Sequence, residues 1–109
     1  MVLETGSFNL REMQKKYLAG VMDMISAYIE RAMSKAIYEK LEDGSYWGEI
    51  PQCPGTNACK PTLRECQEEL RSVLEDWILL SFQDGDELPV IDGIDLNKRA
   101  LDERKIASL

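Results

Sequence analysis

The segment from Tyr46 to Trp77 restricts the fold more than any other part of this chain, because it sets a strand, a chain reversal and a helix start in close succession. Tyr46, Trp47 and Ile50 are strand formers, and Pro51 with Pro54-Gly55 then halts ladder pairing and turns the chain. Thr62 followed by Glu65 has the spacing of a capping box, in which the Thr side chain accepts from the Glu65 backbone N–H and the Glu side chain reaches back. A helix is therefore expected to start at Thr62. Beyond it Leu63, Cys66, Leu70, Val73, Leu74, Trp77 and Ile78 recur at spacings of three and four, while Arg64, Glu68, Arg71 and Glu75 fill the opposite side.

Upstream, Tyr17, Val21, Met24, Ile25, Tyr28, Ile29, Ala32 and Met33 repeat with helical period, with Gly20 a weak point worth about 1 kcal/mol against Ala. Ile37 to Leu41 reads as a strand, Glu42-Asp43-Gly44-Ser45 as a hairpin turn, and Tyr46 to Ile50 as the partner strand. A third short strand is expected from Thr56 to Cys59, and a last one within Val90 to Leu96 after the Asp84-Gly85-Asp86 loop. The order predicts an α+β layer: an N-terminal helix, a three-stranded antiparallel sheet, a long helix and a short final strand. Residues 1–23 read as an N-terminal extension, partly helical or disordered, residues 24–96 as the domain, and residues 97–109 as a short C-terminal tail.

Charge is distributed unevenly. The chain has 109 residues, no histidine and a net charge of −7. Residues 24–89 hold thirteen acids and six bases, whereas acids and bases balance on either side of that region. Such a module repels phosphate backbones and attracts basic proteins, so DNA binding is not expected, although acidity also serves solubility alone. Cys53, Cys59 and Cys66 lie six and seven residues apart, unlike zinc-ligand pairs, and without histidine no metal or cofactor site is expected. There is no signal-peptide pattern and no apolar run near the roughly 20 residues a membrane span needs, so a reducing cytoplasm is the natural setting.

Catalytic chemistry finds few residues. Two-metal nuclease chemistry needs several converging carboxylates, and only Glu39 and Glu49 fall on predicted strands. No histidine is present to activate Cys53, Cys59 or Ser45, so the chain is not expected to be an enzyme. Two features point to binding instead. At the end of the second predicted helix, Trp77, Leu79, Leu80 and Phe82 make the last turns apolar nearly all round, which favours an oligomer or partner interface over extra core. Trp47 and Glu49 alternate with Tyr46 and Ile50, so if the latter face the helices the former form an outer, partner-binding face. Cover by the N-terminal helix is the competing reading for that face.

Tyr46-Trp47-Gly48-Glu49-Ile50-Pro51, Pro54-Gly55 and Thr62-Leu63-Arg64-Glu65, followed by a long helix reaching Trp77, resemble the HicB-like antitoxin family (UPF0150 type) over roughly Met24 to Leu96. That resemblance implies a partial RNase H-like fold, neutralisation of a basic HicA-type ribonuclease toxin by protein–protein binding, and often a C-terminal DNA-binding module. Lys60-Pro61 departs from the glycine and acidic residue usual before the helix, and only thirteen residues follow Leu96, too few for such a module. The alternative reading is a stand-alone oligomeric scaffold without a toxin. The all-round apolar end of the second helix, Trp77 to Phe82, separately predicts a homo-oligomer, a dimer or higher, and no membrane association is expected.

Overall fold

The computed structural model describes residues 10–97. Helix α1 (Leu10–Ser34) leads into strands β1 (Ile37–Lys40), β2 (Tyr46–Glu49) and β3 (Asn57–Lys60), and then helix α2 (Leu63–Asp84). The strands form one antiparallel sheet in the order β1-β2-β3, as the α+β reading expects. Register places Ile37 opposite Glu49 and Glu49 opposite Asn57, and Glu39 opposite Trp47 and Trp47 opposite Cys59.

Each element follows from its local chemistry. The β1–β2 reversal places Gly44 at φ 89°, a left-handed conformation that glycine adopts without a Cβ clash. The Asp43 carboxylate accepts from the Ser45 hydroxyl and from the Ser45 backbone N–H at 2.9 Å, and these bonds hold its pKa below the ordinary carboxylate value. The loop from Ile50 to Thr56 closes on itself through backbone bonds: the Ile50 N–H donates to the Thr56 carbonyl, Cys53 to Ile50 and Thr56 to Cys53. Thr62 caps α2, accepting from the Glu65 N–H at 3.1 Å. The Glu65 carboxylate accepts from the Thr62 hydroxyl at 2.9 Å, so the reciprocal bond runs through the side chain.

One face of α2 supplies the core. Cys66, Leu70, Leu74 and Ile78 are buried in one cluster with Tyr28, Ile29 and Ala32 of α1, Ala58 of β3, and Ile50 and Cys53 of the loop. Full burial of a Leu or Ile side chain contributes about 1.5–3 kcal/mol. At the α1–α2 contact, Arg71 bonds Glu30 at 2.9 Å. The chain after α2 closes the remaining side, burying Leu88, Ile91 and Leu96. Tyr28 Oη donates to the Pro89 carbonyl at 2.7 Å, and Lys35 Nζ meets Asp92 at 2.9 Å.

Three local differences from the sequence reading have physical causes. Helix α1 runs through Gly20 without a break, because its apolar stripe continues on both sides. The third strand sits one residue later than expected, since Thr56 is held in the loop by its bond to Cys53. The expected final strand is reduced to a single Ile91–Ile94 bridge, because Asp92 and Gly93, both at positive φ, reverse the chain at once.

Candidate interaction surface

Period-two alternation sorts the sheet residues by face. Tyr38, Gly48 and Ala58 share a cross-strand row on the α2 side, where the Gly48 position is backed by the Tyr38 ring and Cys66 Sγ. The opposite face carries two rows, Ile37-Glu49-Asn57 and Glu39-Trp47-Cys59. Trp47 and Glu49 therefore do lie on the outer face. Ile37, Glu39, Asn57 and Cys59 are exposed there, while Trp47 and Glu49 are half-buried. Ile37 retains 54% of its accessible surface, which is unusual for a strand isoleucine and marks the face as open.

The sorting extends to charge. Both acids of the strands, Glu39 and Glu49, lie on the outer face, and both strand lysines, Lys40 and Lys60, lie in the Tyr46 row on the α2 side. Lys40 Nζ sits 5.9 Å from the centre of the Tyr46 ring, a cation–π distance. The outer tile thus joins an indole and an isoleucine with two carboxylates and no strand base. Sequence alternation located Trp47 and Glu49, but the contribution of Ile37, Glu39 and Cys59 depends on register, which no residue pattern fixed.

The second candidate surface divides. Ile78 and Ser81 of α2 are buried, and Trp77 and Phe82 pack partly against the core. Leu79 and Leu80 stay 60% and 56% exposed. The apolar end of α2 consequently serves two surfaces, with Trp77 and Phe82 leaning inward and Leu79 and Leu80 outward.

The cysteines have separate environments. Cys53 and Cys66 are buried, and burial pushes both thiols up, that of Cys53 to about 11. Burial also raises the Tyr28 phenol. Such thiols stay protonated and poorly nucleophilic at neutral pH. Cys59 is exposed, with Sγ 3.8 Å from Ser45 Oγ. No group of three or more potential metal ligands is found among the described residues. No helix among them is long and apolar enough to cross a membrane. The basic cluster Lys98, Arg99, Arg104 and Lys105 lies outside the described residues.

A small antiparallel sheet with one face packed on a capped helix and the other presented outward defines a sheet-and-helix module. The chain belongs to the UPF0150-like family, whose pattern matches residues 27–89. It is 38% identical over 45 residues to the UPF0150 protein ssl0738 of Synechocystis, a stretch covering 41% of this chain and 62% of that relative's length. The crystal structure of TTHA0281 from Thermus thermophilus is similar, with 37% identity and a TM-score of 0.62 over 66% of this chain and 90% of that one. The family match begins within α1, so about the first two thirds of that helix lies outside it.

Proposed function

We propose that this chain is a non-enzymatic, HicB-like antitoxin or a close relative, acting by protein–protein binding to neutralise a basic HicA-type ribonuclease. The observation that carries the reading is the outer sheet face, where Trp47 and Ile37 stand among Glu39 and Glu49 with every strand lysine on the other side. An aromatic anchor flanked by carboxylates suits an Arg- and Lys-rich surface, which must itself be basic to grip RNA. Binding there would cover that surface and exclude the RNA.

Co-expression with a small basic ribonuclease encoded beside this chain tests the reading. A recovered complex and an inhibited ribonuclease support it. A toxin left fully active with no complex recovered refutes it, and leaves the oligomeric scaffold, favoured by the exposure of Leu79 and Leu80.

A further inference from the structure

Two surfaces unrelated to the outer sheet face complement one another. The first is on α1, where Arg11, Lys15, Leu18 and Met22 fall at spacings of four, three and four and so form one stripe. Leu18 and Met22 are 58% and 60% exposed, and Lys15 is exposed and joins no ion pair among the described residues. One turn further on, the same stripe enters the core through Ile25 and Ile29. The stripe is thus apolar and covered at one end, apolar and open in the middle, and basic at the far end.

The second surface is the end of α2. Asp76, Leu79, Leu80, Gln83 and Asp84 lie on one face at helical spacing, with Asp86 and Glu87 just beyond. All seven are exposed. Between Arg71 and Lys98 the chain has no basic residue, and among the described residues Asp76, Asp84, Asp86 and Glu87 form no ion pair. The last turn of α2 has no base either, so Asp84 sits against the negative end of the helix macrodipole. That placement is locally unfavourable, and a cation supplied from outside would relieve it.

We infer that the α1 stripe of one copy docks antiparallel on the α2 end of a second copy, reciprocally, giving a two-fold dimer. Arg11 to Met22 spans about 16 Å and Asp76 to Asp84 about 12 Å at the helical rise. Antiparallel alignment puts Leu18 and Met22 over Leu79 and Leu80, and brings Lys15 to Asp84, Asp86 and Glu87. Parallel alignment would leave those three acids without a base. Because each copy carries both surfaces, a two-fold arrangement makes the contact twice and closes the pair, whereas a single contact per pair would propagate as an open chain. The inference does not rest on the antitoxin reading, since the surfaces lie away from the outer face and the whole α1 stripe lies outside the family match.

Sedimentation equilibrium of the full chain tests it. The expected result is a dimer whose dissociation constant rises severalfold between about 0.05 M and about 0.5 M salt, as screening shortens the reach of the charges. Leu80→Glu, with circular dichroism unchanged, should give a monomer. Lys15→Glu and Asp84→Lys should each weaken the dimer at least about fivefold, and the two together should restore much of it. A wild-type monomer at about 100 µM in low salt would overturn the inference. So would a dimer that L80E leaves intact, loss on L80E with no response to K15E, or a charge swap that recovers nothing.

Discussion

Gly48 and the Tyr38 ring face each other across the β1–β2 ladder so closely that a Cβ at Gly48 would stand 2.7 Å from two ring carbons. It would also lie 3.1 Å from Cys66 Sγ. The glycine is therefore what allows the Tyr38 ring to lie over β2 beneath α2. Gly48→Ala should destabilise the fold by about 1–3 kcal/mol through overpacking, despite the higher strand propensity of alanine. Urea unfolding measures it, and a variant as stable as the parent would show that the ring swings aside freely.

Stability should fall at alkaline pH. The Cys53 thiol moves from an ordinary 9.0 to about 11 in the fold, and burial raises the Tyr28 phenol and the Cys66 thiol as well. A raised pKa means the folded chain holds its proton where the unfolded chain has released it, so the contribution is whole below pH 9 and is lost as pH rises from there through about 11. Thermal melts should show a plateau below about pH 8 and a decline above about pH 9, shallower in Cys53→Ala. A flat profile to about pH 11 would contradict burial of these groups.

The Tyr28 hydroxyl ties the middle of α1 to the segment after α2 through its 2.7 Å bond to the Pro89 carbonyl. Tyr28→Phe should cost about 1–2 kcal/mol, the cost of leaving that carbonyl unpaired. Hydrogen exchange should then quicken around Leu88 to Ile94 before it does in the sheet.

Thr62 is a separable contribution. Thr62→Ala removes the acceptor for the Glu65 N–H and should cost about 1 kcal/mol, whereas Thr62→Ser or Thr62→Asp should retain most of it. Equal midpoints for all three variants in denaturant would mean that Pro61 and the packed face of α2 set the helix start without the cap.

The capped helix and the β2 alternation were legible because their signals are local: a hydroxyl three residues before a carboxylate, and side chains two apart. Gly20, read as a weak point, does not interrupt α1 because its propensity cost is small beside the apolar stripe that runs past it into Ile25, Tyr28 and Ile29. The segment at Val90 to Leu96 looked like a strand because its apolar residues are interleaved with Asp92 and Asp95, yet Asp92 at φ 49° and Gly93 at φ 80° turn it back on itself. The outer tile was half legible. Trp47 and Glu49 came from alternation, but Ile37, Glu39 and Cys59 join them only through cross-strand register, a non-local property set by the hairpin turn and the β2–β3 loop. The same non-locality hid the division of Trp77 and Phe82 from Leu79 and Leu80.

The outer face separates a charge effect from a contact effect. Trp47→Ala should weaken binding to a basic ribonuclease partner by about thirtyfold or more, mainly by faster dissociation, as expected on losing a central aromatic anchor. Glu39→Lys and Glu49→Lys should act mainly on association, slowing it and flattening its dependence on salt. Lys60→Glu is the control: it changes the charge of the chain in the opposite direction but from the α2 side of the sheet. If acidity matters only as net charge, K60E should speed association as much as E49K slows it. A face-specific site predicts a smaller response to K60E, and rate constants at two ionic strengths distinguish these outcomes. Indifference of the partner to Trp47→Ala and to both glutamate reversals would remove the outer face from the binding surface.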